Sequence, residues 1–441
     1  MQKEIGFKKI FGNSLWQISE KVLTMIIGIV VSAWIARYLG VHEYGTANYI
    51  ISIVSLFTAF STLGMEKIII NDIIKQDEEK EVILGTSFIL RIIGGIVLLL
   101  VSQITIYILN GENILYQILG AIMGTCMIFK AFEVIEYYFQ AKMNLKLVSI
   151  IRFITAILVA LSKIVIIKLD FGVIGFLSTY LFDSIVAGLL FYILFKINNK
   201  SKWSFSKKYT KQLLSKCWYV ALAGIMTTVY MRIDQVMLGS MLDTKIENGI
   251  YSAAVRIAEM WYFVPIAVIS SFQPVIIKKK KKSEEEYINM VQRLYDLVAL
   301  IGIAFGIGIS IFGGFAIDIL YGSEYQRASN ILVISVWAGL FATLGSARSV
   351  WLVVENKQKF TVVYTLTGCV INIILNSILI PFFGAAGAAV ATLIAQVVAN
   401  IFALMMFKET RKSSLMILKS IFCNKTIIDM INYLKKRKKH V

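Results

Sequence analysis

Arg232 and Asp234 stand two positions apart inside an apolar stretch, from about 213 to 241, that is long enough to cross a bilayer. An ionisable group at bilayer depth is costly unless it faces protein or water. Glu20, Lys21, Arg91, Lys130, Glu133, Lys163, Asp183, Arg256, Glu259 and Arg348 lie in other apolar stretches of the chain. The chemistry open to such a set is counter-charge chemistry. Lys and Arg in a wet cavity give charge-assisted hydrogen bonds to phosphate oxygens, and carboxylates hold those cations when the site is empty or bind a coupling proton or Na⁺.

Helical spacing sorts these residues into stripes. Asn13, Gln17, Lys21 and Thr24 share a face with Glu20 beside them; Lys130, Glu133, Tyr137 and Gln140 share another, joined by Glu136; Ser252, Arg256 and Glu259 make a third. A polar stripe continued over two turns must face something polar or wet. Arg232 and Asp234 are about 200° apart around a helix, so one points to the cavity and the other pairs with a neighbouring helix, with Arg256 or Glu259 as the expected partner. The expected substrate-binding cations are Lys21, Lys130, Arg232, Arg256 and Arg348. The expected coupling or counter-charge groups are Glu20, Glu133, Asp234 and Glu259. Arg91 and Lys163 are also placed to snorkel to headgroups, and Arg348 and Glu355 to tie to each other. No catalytic residue, metal ligand or cofactor is indicated.

The elements that must carry these residues follow from composition. The 441 residues are 58% hydrophobic and 16% charged, with a mean hydropathy of +0.74, more apolar surface than one soluble core can bury. Twelve stretches qualify as spans, at about 10–37, 45–66, 83–109, 115–140, 148–168, 173–197, 213–241, 249–277, 294–320, 329–354, 360–380 and 385–407. The first is too long for a signal peptide. Lys and Arg concentrate in alternate loops, among them Lys142 and Lys146, Lys202 to Lys216, Lys278 to Lys282, and Lys408 onward. The fold class expected is therefore an all-α integral membrane protein with both termini on the cytoplasmic side of the cytoplasmic membrane. The net charge of +18 reads as topology and attraction to anionic lipid rather than nucleic-acid binding, because no aromatics interleave with it.

Other classes fall away. No loop on the outer side is long enough for a catalytic domain, there is no phosphate loop or HExxH, and Cys126, Cys217, Cys369 and Cys423 have no paired spacing. Translocation is the expected activity. A weak internal repeat, Tyr44-Gly45-Thr46-Ala47 against Asn248-Gly249 to Ala254 and Phe171-Gly172 against Phe383-Gly384, divides the chain into two six-helix halves, 1–197 and 213–407. A basic linker, 198–212, joins them, and a basic amphipathic tail, 408–441, lies on the inner leaflet. Pro265 and Pro274 are expected to kink the eighth span.

The turn Leu39-Gly40-Val41-His42-Glu43-Tyr44-Gly45, the segment Arg232-Ile233-Asp234 to Met237-Leu238-Gly239, and the segment Gly249 to Glu259 carry a resemblance. From about Phe11 to Phe407 the chain resembles polysaccharide-unit flippases of the Wzx type, in the MOP superfamily with MATE drug exporters and lipid II flippases. The resemblance implies a MOP/MATE-like pair of six-helix bundles around a central cavity and alternating access. It also implies transfer of undecaprenyl-diphosphate-linked oligosaccharide for O-antigen, capsule or exopolysaccharide, with H⁺ or Na⁺ coupling and a polysaccharide polymerase and chain-length proteins as partners. The alternatives within the same fold are a MATE-like cation or drug antiporter, which needs an acidic cavity, and a lipid II flippase, which usually has fourteen spans.

Overall fold

The computed structural model describes residues 7–198 and 202–422. The Lys435 to Lys439 cluster and the rest of the tail beyond 422 lie outside the described residues, as do the side chains of Asn13 and Gln17. In hydrocarbon every backbone N–H and C=O must be satisfied internally, which leaves helices or closed barrels. Among the described residues the chain is helical, with no strand. The helices are α1 (Phe7–Leu56), α2 (Thr58–Thr62), α3 (Glu66–Lys75), α4 (Lys80–Asn110), α5 (Ile114–Phe129), α6 (Glu133–Ala141), α7 (Leu145–Leu169), α8 (Gly172–Asn198) and α9 (Lys207–Met241). They continue with α10 (Ile246–Ala258), α11 (Phe263–Lys280), α12 (Glu284–Tyr321), α13 (Ala328–Val354), α14 (Lys359–Val397), α15 (Ala403–Met405) and α16 (Lys408–Phe422).

Among the described residues ten helical segments are long and apolar enough to cross a membrane, two fewer than the stretches expected. The difference lies at two glycines. α1 carries the first stretch and the first half of the second, which continues through α2, and α14 opens a helical segment carrying the last two. Each is interrupted by one non-helical residue, Gly40 (φ 71, ψ 171) and Gly384 (φ 55, ψ −132). Positive φ is a conformation that glycine adopts at little cost. The 47-residue segment Lys359–Met405 would extend roughly 70 Å if straight, against a hydrocarbon core of about 30 Å, so it has to turn where the glycine permits.

Two compact units are present, Met1–Gly249 and Ile250–Val441. α9 packs on α1, α2 and α4 within the first of them, although it opens the second expected repeat. The basic segment before it is docked rather than loose. The Ser204 N–H donates to the Glu81 carbonyl (3.2 Å) and the Ser206 N–H to Thr86 Oγ1 (3.0 Å), while the Trp203 ring lies against Phe88 and Phe195. Ser206 then caps α9, accepting from the Tyr209 N–H at 3.2 Å.

Gly45 and Gly249, the repeat-related glycines, approach backbone from opposite helix starts. A Cβ on Gly45 would fall 1.9 Å from the Lys245 carbonyl oxygen, and one on Gly249 would fall 2.1 Å from that of Val41. The Asn248 amide closes the contact, donating to the Gly45 carbonyl at 2.8 Å. Glycine at each position is therefore a packing requirement.

In the second unit the expected kink is found at the 3₁₀ turn Met260–Tyr262, between α10 and α11. Pro265 has no N–H to offer the Trp261 carbonyl four residues back and its ring crowds it, so the helix tightens there. Pro274 sits inside α11 without ending it. α16 packs its Ser and Thr face inward: Tyr364 OH donates to Thr410 Oγ1 (2.6 Å), Tyr295 OH and Ser413 Oγ share a hydrogen bond (2.9 Å), and Ser414 Oγ donates to the Ile401 carbonyl (3.0 Å). Leu415 and Phe422 are left facing outward.

Candidate functional site

The densest polar cluster among the described residues is inside the first unit, and a helix break builds it. The run Ile114–Ala141 is interrupted by a 3₁₀ turn at Lys130–Phe132, and α6 restarts at Glu133. A 3₁₀ turn has three residues per turn instead of 3.6, so it rotates the polar stripe of α6 relative to α5. Glu133 thereby reaches two other helices. Arg91 of α4, only 1% exposed, places Nη2 2.9 Å from Glu133 Oε2 and donates from Nη1 to Tyr137 OH at 2.6 Å. Arg152 of α7 lies 3.6 Å from Glu133 Oε1 and forms a second ion pair with Glu136, to which Gln140 Nε2 donates at 3.2 Å. The Arg152 guanidinium rests 5.5 Å from the Phe191 ring centre on α8.

Two adjoining cavities extend from this network. One, a narrow crevice of about 10 Å³, is lined by Lys130, Glu133, Arg152 and Asp183 with apolar residues of α8. The other, of about 190 Å³, is lined by Thr24 of α1, Lys163 of α7, and Thr179, Tyr180 and Asp183 of α8. Asp183 lines both. Lys163 places Nζ 5.8 Å from the Phe176 ring centre and 5.5 Å from that of Tyr180. Glu20 is half-buried nearby in sequence and accepts from Thr24 Oγ1 at 2.9 Å. Among the described residues Arg91, Lys130, Arg152 and Lys163 thus share one unit with Glu20, Glu133, Glu136 and Asp183, each ion pair reducing the cost of the others' burial.

The structure brings together Lys130 and Glu133 from the expected set and separates the rest. Lys21 is exposed on α1, Arg232 is half-buried, and Asp234 is 4% exposed. Next to Asp234, the side-chain amide oxygen Oε1 of Gln235 accepts from Ser52 Oγ of α1. Arg256 ends α10 half-buried, and Glu259 lies at the mouth of the 3₁₀ turn. Arg348 is 6% exposed. It donates to the Ala399 carbonyl at 3.3 Å and stacks 4.6 Å from the Tyr364 ring centre. Its carbonyl partner belongs to a π-helical turn, Val398–Phe402.

Three expectations change. Arg91 does not snorkel: it is enclosed because Glu133 and Tyr137 satisfy it. Lys163 lies over aromatic faces rather than reaching for headgroups. Glu355 is tied not to Arg348 but to Lys280, at 2.7 Å, with Lys357 at 4.0 Å. Burial pushes the Glu355 carboxyl up, but the hydrogen bond and charge of Lys280 outweigh it and hold the group below the usual glutamate range.

Arg152 was invisible as a site residue in the sequence because it falls near the start of its span, where a cation reads as interfacial. Its signal was its spacing from Lys163, which places both on one face of α7. Lys245 was also missed. This loop residue is 8% exposed, its ammonium donates to the Gly239 carbonyl, and it lies 5.0 Å from the Tyr49 ring centre and 5.8 Å from that of Tyr116. Burial holds it below the usual lysine range. In the second unit Asn372 and Asn376 are both fully buried, joined to each other and to Thr392 by hydrogen bonds of 3.2 Å.

Comparison with known proteins places this architecture. The chain is similar to a probable low-salt glycan biosynthesis flippase, Agl15, of Haloferax volcanii, at 29% identity over 42% of this chain and 40% of that protein. The match thus spans less than half the length of that relative. It is similar to a probable flippase, AglR, of the same organism at 23% identity, over 90% of this chain and 83% of that one. Its fold is that of the lipid II flippase MurJ in an inward closed conformation, with a TM-score of 0.72 at 19% identity over 96% of this chain and 92% of that one. The fold class expected from the sequence, an all-α membrane protein of the MOP/MATE kind, is the one present. The family described as "Polysaccharide biosynthesis protein" matches residues 34–330, and with two thirds of its length so matched the chain belongs to that family.

Proposed function

We propose that the protein is a flippase that moves undecaprenyl-diphosphate-linked oligosaccharide across the cytoplasmic membrane by alternating access. The observation that carries the reading is the set of cations, Lys130, Arg152 and Lys163, lining cavities between helices of spanning length in a chain of the polysaccharide biosynthesis family. A diphosphate taken through a low-dielectric bundle needs counter-charges, and an uncharged or acidic path would exclude it. Lys21, Lys130, Arg232 and Arg256 supply positive charge along the route in this reading. Glu20, Glu133 and Glu259 balance it when no substrate is bound, and the undecaprenyl tail stays in lipid while the sugars cross. Arg348, held by a carbonyl and a ring, has the position of a structural cation. Asp234, buried in α9, is the group whose protonation or cation binding couples transport to a gradient. Both termini face the cytoplasm, and the product feeds a polymerase on the far side.

Reconstituted protein and a fluorescent lipid-linked diphosphate oligosaccharide test the reading. Wild-type protein should move the lipid between leaflets, Arg256→Ala should lose at least tenfold of that rate, and Arg256→Lys should recover part of it. Asp234→Asn should still bind the lipid while losing the response to an imposed pH or Na⁺ gradient. Wild-type protein that leaves the lipid in its original leaflet refutes the function; an Asp234→Asn variant that still responds to the gradient refutes the coupling role alone.

A further inference from the structure

We propose that α7 carries a two-station path for the anionic headgroup, with Arg152 and Lys163 as the stations. This rests on the flippase reading and assigns it two residues outside the substrate-binding set expected from the sequence. Lys163 lies eleven positions after Arg152, about 20° past three whole helical turns, so they share one face about 16 Å apart along the axis. α7 runs from Leu145 to Leu169, which places each cation about 10 Å inside one end of the span. With a hydrocarbon core of about 30 Å, the two lie at opposite depths of the same crossing.

The face between them is cut back. Ala156, Val159 and Ala160 line the larger cavity, and their small side chains leave room where a Leu or Phe would close it. Arg152 lines one cavity and Lys163 the other, and Asp183 of α8 lines both, so one carboxylate is shared between the two cations' cavities. Neither cation is directed to lipid: Arg152 lies against Phe191, and Lys163 against Phe176 and Tyr180. Glu133, Glu136 and Asp183 hold the charges while the path is empty. A polyprenyl diphosphate brings its own negative charge and takes the carboxylates' place on the guanidinium, whose planar fork matches phosphate oxygens. Two moderate sites suit transport better than one deep one, since a headgroup must leave each site as well as enter it.

The test uses the full chain in nanodiscs for binding of undecaprenyl diphosphate and in proteoliposomes for its movement. Arg152→Gln is made together with Glu136→Gln, so that no carboxylate is stranded; Lys163→Gln is made alone; and Ala160→Phe fills the face while keeping every charge. Each variant is compared at matched melting behaviour and monodispersity, and Lys163→Gln decides the matter if a bulkier change fails to fold. The charge variants should bind at least tenfold more weakly, and Ala160→Phe should bind but move the lipid at least tenfold more slowly. Wild-type rates in the folded variants overturn the path and leave the flippase reading standing. Wild-type protein that neither binds nor moves the probe overturns both.

Discussion

Arg91 in the first unit and Arg348 in the second are both nearly inaccessible arginines in spanning helices, at 1% and 6% exposure, yet their surroundings differ in kind. Arg91 meets a carboxylate that a second arginine, Arg152, also approaches, beside a cavity. Arg348 meets a backbone carbonyl and a tyrosine ring in a packed core that includes Leu344, Ala347, Trp351 and Leu404. In the proposed flippase reading, burial alone therefore does not mark a transport residue. What distinguishes the two is whether the partner is another ionisable group that a charged substrate can displace, or a fixed dipole that it cannot.

Removing Arg91 should have the largest effect. Arg91→Ala strands Glu133 with a longer contact to Arg152, and breaking a buried pair costs about 3–5 kcal/mol, so the melting temperature in detergent should fall sharply. A variant that melts like wild type would break the comparison, placing Arg91 among dispensable charges. Adding Glu133→Gln to Arg91→Ala should recover part of the loss, because no carboxylate is then left unpaired.

Arg348→Met keeps an unbranched apolar stem and deletes the guanidinium with its charge. It should cost about 1–3 kcal/mol, from one hydrogen bond to a carbonyl and one cation–π contact. Transport per folded molecule should be unchanged. A tenfold loss of rate in protein of normal stability would return Arg348 to the substrate path and erase the contrast between the two units.

The smallest effect is expected at Glu355, which lies beyond the end of α13. A carboxyl held below its unfolded value adds stability that is fully present above the unfolded pKa, about 4.3, and is lost as pH falls through the folded pKa. Glu355→Gln should therefore lower stability by about 1 kcal/mol or less near neutrality, and the difference from wild type should vanish in acid. A difference that persists unchanged at pH 3 would assign it to packing instead of charge.

Much of this was legible in the chain itself. Apolar runs of spanning length gave the membrane class, because a bilayer core accepts little else. Pro265 located the break before α11, because a missing N–H acts within one turn. Lys130 and Glu133 announced a polar face on the fourth span by their spacing, and the family resemblance carried by Arg232 to Glu259 agreed with the fold found.

Other features depended on residues far apart in sequence. Glu133 binds Arg91 and Arg152 only because the 3₁₀ turn at Lys130–Phe132, which no proline or glycine signals, rotates α6 toward α4 and α7. Lys163 became a cavity residue because α8 offers it two rings. α9 joined the first unit because Ser204, Ser206 and Trp203 dock its leading segment on α4. Local sequence determined which segments become helices and which residues share a face, since those follow from backbone sterics and period. Which face meets which was decided by tertiary packing, where a charge's meaning depends on the partner supplied by another helix.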